Sequence, residues 1–253
     1  MEKVKAVFNW SGGKDSALAL YRVLRGGRYE VTALLTTVGE ETGRTALHGI
    51  PEGLLRCQAE RIGIPLHVVR LSSEGDKAGN AMEMARTVEC FRARGVTHFV
   101  FGDIFLPGVR AYRERRLRPC GIEVKEPLWG LSPREVMGDF LASGFRTVVV
   151  AAMDGELGRE AVGRTVDAEF VASIPPQVDL CGERGEYHTF CYDGPIFRSP
   201  VPFSLGEPFR RSFDVWPGKG TGRTDTYWFA DLREASSPEE RPGYGSGCSY
   251  HEE

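Results

Sequence analysis

Cysteine is scarce in this sequence: six residues, at positions 57, 90, 120, 181, 191 and 248 of 253, with no Cys-x-x-Cys pair. That spacing excludes a disulfide-built scaffold and leaves reduced thiols as the expectation. Long apolar runs are missing too, and nothing approaches the roughly 18 residues of a membrane span. The first residues, MEKVKAVFNW, contain neither the apolar stretch nor the small-residue cleavage site of a secretory signal. A cytoplasmic protein without a membrane anchor is expected. An excess of positive charge is absent as well. Lys and Arg number 32 against 35 Asp and Glu, a formal net of -3, which argues against direct DNA binding or coating of an anionic membrane. There is no internal repeat.

What is present is an alternation of apolar strands and amphipathic helices. Residues 4–10 read as a strand, 15–24 as a helix, and 31–38 (VTALLTTV) as a second strand. A helix over 51–62 starts on Pro51 and stops at Gly63. Strands follow at 67–69, 98–101 and 122–124, with a long helix over 78–94 between the first two. Ser132-Pro133-Arg134-Glu135 has the pattern of a capping box opening a helix to Ser143. Residues 147–152 (TVVVAA) read as a final strand of the same sheet. Strands apolar on both faces, alternating with helices, predict an α/β fold: an open parallel sheet with helices on both faces. After about residue 155 the rhythm changes. One more helix is expected over 157–170, a loop over 178–197, and two strands over 209–216 and 224–232. The predicted organisation is a first domain at 1–155, a smaller α+β C-terminal domain at 156–232, and a disordered tail at 233–253.

The strongest chemical signal is Ser11-Gly12-Gly13-Lys14-Asp15-Ser16, between the first strand and the first helix. Two glycines let backbone approach an anion, and the helix start offers unpaired N–H groups and a positive dipole end. Lys14 adds a mobile charge, and Ser11 and Ser16 add hydroxyl donors. The spacing is neither that of the Walker loop nor that of a dinucleotide-binding Gly-x-Gly-x-x-Gly. In an open parallel sheet ligands bind beyond the carboxyl ends of the strands. Thr36-Thr37, Gly102-Asp103 and Pro127-Leu128-Trp129 end or follow strands and converge on the edge that carries the loop. Asp103 either orients an amine or a metal, or caps a turn or helix. His48 either contacts phosphate or is a solvated turn residue. Trp129 either stacks on a ring or belongs to the core.

A second cluster, Asp179, Glu183, Glu186, His188 and Thr189, lies in a segment whose Gly182 and Gly185 permit tight turns. Two carboxylates and an imidazole suit binding an ammonium ion, deprotonating it and positioning the resulting nucleophile. Cys181, His188 and Cys191 lack a fourth ligand at zinc spacing, so buried thiols are the favoured reading. Arg110, Arg113, Arg115, Arg116 and Arg118 form either a solvated helix face or a contact for a bulky anionic substrate.

The hexapeptide resembles the PP-loop of the N-type ATP pyrophosphatases, which split ATP between its α and β phosphates. Leu47-His48-Gly49-Ile50, Gln58-Ala59-Glu60, Gly63-Ile64-Pro65-Leu66, Gly102-Asp103-Ile104-Phe105, Pro127-Leu128-Trp129-Gly130, Gly163-Arg164 and residues 181–190 (CGERGEYHTF) narrow it. In that order, over about residues 4–200, they resemble the diphthine–ammonia ligase family. The resemblance implies an adenine-nucleotide alpha-hydrolase-like fold, ATP with Mg2+, and an AMP-forming carboxylate–ammonia ligase. Ser11, Gly12, Gly13, Lys14, Asp15, Ser16, Thr36, His48 and Gly102 would hold the nucleotide. Lys14, Asp103, Glu183, Glu186 and His188 would act in the chemistry, with no residue assigned as a metal ligand. The implied acceptor is the carboxylate of diphthine on elongation factor 2, and the nitrogen donor is free ammonia. Where the family usually has Asn and Pro this chain has Arg184 and Leu180, and the arginine places positive charge beside the amine-handling acids. The alternatives are a PP-loop enzyme acting on a tRNA base or small carboxylic acid, and a nucleotide-binding protein without turnover.

Overall fold

The computed structural model describes residues 3–72, 77–215 and 223–235. Five segments form the first sheet: β1 (Val4–Asn9), β2 (Tyr29–Gly39), β3 (Leu66–Leu71), β4 (His98–Val100) and β5 (Glu123–Lys125). They run parallel in the order β3-β2-β1-β4-β5. Between them lie α1 (Lys14–Gly26), α2 (Glu52–Ile62), α3 (Lys77–Ala93) and α4 (Pro107–Leu117).

Strand alternation divides the core into two layers. Ala6 and Phe8 of β1 pack with Leu18 and Leu20 of α1 and Leu54 and Leu55 of α2. Val7, one residue out of phase, packs on the other face with Val88 and Phe91 of α3 and Leu117 of α4. Both faces are therefore covered, as expected of a parallel sheet whose central strands are apolar on both sides. The chain builds outward from β1 through β2 to β3, then returns to place β4 on the other side of β1. Strand order reverses between β1 and β4, and that switch point opens a crevice at their carboxyl ends. The segment Ser11–Ser16 lies at this point.

The second half holds α5 (Pro133–Ala142), β6 (Arg146–Met153), α6 (Ala168–Ser173), β7 (Tyr187–Asp193), β8 (Phe203–Val215) and β9 (Arg223–Glu234). Its strands form a four-stranded antiparallel sheet in the order β7-β6-β9-β8. The expectation that residues 147–152 close the parallel sheet is thereby corrected: β6 pairs with β7 and β9. Its residues are buried on both faces inside this second sheet, and an apolar run reports burial without naming the partner strand. Division by sheet consequently falls before β6, ahead of residue 155. The helix expected over 157–170 is also corrected. Gly158 and Gly163, at φ of 67° and 87°, interrupt it, leaving a 3-10 turn at Arg159–Ala161 and the short α6. The loop expected over 178–197 contains β7. Trp216 and the tail from residue 236 onward lie outside the described residues, while Arg233 and Glu234 belong to β9.

The capping box is formed. Ser132 Oγ accepts from the Glu135 N–H at 3.3 Å, and the Glu135 carboxylate accepts from the Ser132 N–H at 2.8 Å. Replacing Ser132 with Ala is expected to lower unfolding free energy by about 1 kcal/mol, measurable by denaturant titration. Among the described residues no helix is long and apolar enough to cross a membrane.

Candidate active site

The loop after β1 is shaped by close approach. Gly12 has φ of 82°, and a Cβ there would meet Ile50, Leu55 and Gln58 within 2.8–3.0 Å. A Cβ on Gly13 would stand 2.8 Å from the His48 ring and 3.0 Å from the Thr189 carbonyl. Gly13 is the N-cap of α1 and makes no side-chain cap, and Lys14, Asp15 and Ser16 of the first turn line the crevice. The Ser16 hydroxyl donates to the Gly13 carbonyl at 2.9 Å, and Ser11 Oγ lies 3.1 Å from Ser16 Oγ.

The second sheet completes this loop. From β7, the Cys191 N–H donates to the Gly12 carbonyl at 2.8 Å, and Thr189 Oγ1 accepts from the Lys14 N–H at 3.0 Å. The His48 Nδ1–H donates to the Thr189 carbonyl at 2.9 Å. Lys14 is 2% exposed. Its ammonium pairs with Asp15 at 2.8 Å, donates to the Cys181 carbonyl, and lies 5.1 Å from the Tyr187 ring centre. Burial alone would lower the Lys14 pKa, but the neighbouring groups, Asp15 foremost, raise it above the usual lysine value. Burial pushes the Tyr187 hydroxyl upward and the Cys181 thiol up to about 12, so both stay protonated and Asp15 is the anionic partner.

These groups surround a cavity of about 450 Å³ at the switch point, a size suited to a small organic ligand. Of the residues singled out in the sequence, Ser11, Lys14, Asp15, Ser16, Thr36 and His48 stand on its wall. Thr37, Gly102, Asp103, Arg113, Gly182, Glu183, His188 and Thr189 stand there too, whereas Gly12 and Gly13, also expected to hold the nucleotide, lie behind the wall. Gly102 packs against α1, where a Cβ would come 3.0 Å from the Ser16 N.

Glu183 faces the cavity and accepts from the Ile104 N–H at 2.9 Å. Burial, reinforced by the Asp15 charge, pushes its carboxyl up to about 7. Glu186 is placed differently. Its two oxygens accept from the backbone N–H groups of Asp179 and Arg184, both at 3.1 Å. It thus fastens the 179–186 loop from behind the cavity wall. Asp179 adds to the same fastening by accepting from the Cys181 and Glu183 N–H groups.

His48 and His188 lie with ring centres 4.7 Å apart. Burial lowers the pKa of both, His188 well below the ordinary histidine value, and their proximity disfavours a second proton. Both are neutral near pH 7. Asp103 does not cap α4, whose N-cap is Leu106. Its carboxylate pairs with Arg113, whose guanidinium lies 3.9 Å over Phe101 and 3.6 Å from Glu126. Burial lowers the Arg113 pKa to about 10, still charged at neutral pH. Trp129 does not reach the cavity wall, and Arg110 covers its ring at 4.7 Å. Arg110 and Arg113 are therefore held inward around Glu126, whereas Arg115, Arg116 and Arg118 are exposed. Arg113 and Tyr187 are wall residues that sequence reasoning did not assign. Arg113 stands in the sequence only as one of five clustered arginines, and Tyr187 carries no signal beyond its place in the 181–190 motif.

The donor set bears on metals. The two thiols beside His188 do not point at it: Cys181 Sγ lies 3.4 Å from the Pro133 carbonyl and Cys191 Sγ 3.7 Å from that of Asp193. Burial pushes Cys191 up to about 12 as well. Asp15 and Asp103 are already paired with Lys14 and Arg113. These carboxylates form no cage for a resident cation.

Against known proteins, residues 4–124 match the diphthamide synthase N-terminal domain and residues 132–212 the diphthamide synthase C-terminal domain. The chain is 24% identical over 232 residues to the diphthine–ammonia ligase of Rattus norvegicus, and 22% identical over 231 residues to that of Homo sapiens. Each comparison covers 81% of this chain and 85% of the relative. The two matched domains meet between β5 and α5, where the parallel sheet gives way to the antiparallel one. With both domains matched in order, and the crevice built from one of each, the chain belongs to the diphthamide synthase family.

Proposed function

We propose that this protein is an ATP-dependent amide ligase that adenylates a carboxylate and amidates it with ammonia, releasing AMP and pyrophosphate. The observation that carries the reading is the joining of phosphate loop and acid loop across one cavity. Lys14, at the start of α1, is hydrogen-bonded to the backbone of the segment that presents Glu183.

MgATP enters as substrate, its metal carried on the phosphates. The adenosine half lies along Leu35, Thr36 and Thr37 at the end of β2, and the β and γ phosphates lie in the Ser11–Ser16 loop. An oxygen of the acceptor carboxylate attacks the α-phosphorus, and the bond to the β-phosphate oxygen breaks. Lys14 and the N–H groups at the start of α1 stabilise charge on the departing pyrophosphate. Ammonia then attacks the acyl carbon, the bond to AMP breaks, and Glu183 takes the surplus proton from nitrogen. Asp103 and its partner Arg113 line the side where the acceptor lies. Glu186 holds the loop that aims Glu183, and the neutral His48–His188 pair supports the loop from the β7 side.

The names of the relatives supply diphthine as the acceptor, and the matched family diphthamide as the product; elongation factor 2 as the carrier follows from the sequence resemblance. One residue favours a second reading. Arg184, where the family usually has Asn, is exposed at the loop and lies 6.0 Å from the Phe105 ring centre. Its charge suits an acceptor with an additional anionic group, as a small carboxylic acid or a nucleic-acid base with its phosphates would supply. Incubation with MgATP and ammonia, with and without the diphthine-bearing factor, separates these readings. AMP and pyrophosphate that require the factor are the expected result. ADP in place of AMP would refute adenylation, and AMP formed with another carboxylate alone would move the acceptor assignment.

A further inference from the structure

We propose that Gln58 is a positioning residue for pyrophosphate, acting through the Gly12–Gly13 peptide of the phosphate loop. This rests on the reading of that loop as the cradle for the β and γ phosphates. Gln58 lies on α2 and is completely buried. Its Oε1 accepts from the Trp10 indole N–H at 2.8 Å, and its Nε2 donates to the Gly12 carbonyl at 3.0 Å and the Cys191 carbonyl at 2.6 Å. The indole can only donate and the carbonyls only accept, so one amide orientation satisfies all three. A single side chain thereby joins the end of β1, the phosphate loop and β7.

The Gly12 carbonyl receives two donors, Gln58 Nε2 and the Cys191 N–H. Two hydrogen bonds to one carbonyl polarise its peptide unit and strengthen the N–H at the other end. That N–H belongs to Gly13, at the positive end of α1. Its contact here is a long 3.3 Å bond to Ser11 Oγ, one that an anion can displace. Gln58 thus fixes where the Gly13 N–H points and makes it a better donor, without touching the ligand. Glutamate has nearly the same shape but cannot donate to two carbonyls, and methionine fills the volume while removing all three bonds.

The test is calorimetric binding of inorganic pyrophosphate and, separately, of AMP to the full chain and its Gln58→Met and Gln58→Glu variants, with circular dichroism to verify folding. Pyrophosphate affinity is expected to fall by about tenfold while AMP affinity changes little, because the Gly13 N–H remains but is less well aimed and a weaker donor. Unchanged pyrophosphate affinity in a folded variant, or equal losses for both ligands, overturns the proposal. A wild-type chain that binds no pyrophosphate removes the phosphate-loop reading itself, and this proposal with it. If neither variant folds, the Gly13 amide of the 15N-labelled wild type decides: its proton resonance should move downfield on adding pyrophosphate, and an unmoved resonance overturns the proposal.

Discussion

Lys14→Ala lowers the rate of pyrophosphate release by roughly 10²–10³-fold or more, the scale for removing a donor aimed at developing charge. The expectation follows from how this lysine is held. Its ammonium is buried, kept charged by Asp15, and fixed by the Cys181 carbonyl, so it needs little reorganisation when negative charge appears nearby. Alanine removes the cation and also the bond by which the start of α1 grips the 179–186 loop, so the ammonia step slows as well. Asp15, left without its partner, keeps some access to water with a side chain 27% exposed. The variant should therefore still fold. Single-turnover measurement of AMP and pyrophosphate checks this, and a rate within about twofold of wild type would take the loop out of the mechanism.

Glu183→Gln is expected to lower the amidation rate by roughly 10²–10⁴-fold, the usual range for a positioned base. Its sharper signature lies in pH. Burial raises the carboxyl to about 7, so in the folded protein it is protonated below that value and anionic above it. A base must be anionic to act. Amidation should therefore rise with pH through about 7 and level off above, once the contribution of free ammonia itself, which extends to more alkaline pH, is held constant. Glutamine retains an oxygen to accept the Ile104 N–H and so preserves the loop contact. The variant should lose the limb near 7 while keeping its affinity for ATP. A profile identical to wild type would place the proton acceptor elsewhere.

The two loops differ in how far they could be understood without coordinates. The phosphate loop was legible because its chemistry is local: glycines, lysine and serines within six residues, between an apolar run and a helix. The acid loop was legible as a cluster of residue types, but not in the roles of its members. Glu183 and Glu186 are three residues apart and chemically alike. One carboxylate faces the cavity and the other accepts two backbone N–H groups, a distinction set by how Gly182 and Gly185 turn the chain. Asp103 was placed at the site by its position after β4, yet nothing nearby in sequence indicated that Arg113 would pair with it. A turn and the first half of α4 intervene, and the pairing depends on the direction in which α4 leaves the sheet.

By itself the sequence determined the strand–helix alternation, the two-faced burial of the parallel sheet, the phosphate loop and the capping box at Ser132. Each of these is written in spacings shorter than about one helix turn or one strand. The tertiary structure alone decided that β6 belongs to the antiparallel sheet, and that β7 forms the back wall of the phosphate loop. The hydrogen bonds responsible join residues 175 positions apart at Lys14 and Thr189, and 133 apart at Gln58 and Cys191. Burial leaves the same apolar pattern whichever strand lies alongside, and a buried amide or hydroxyl shows its partner only when packing brings the two together.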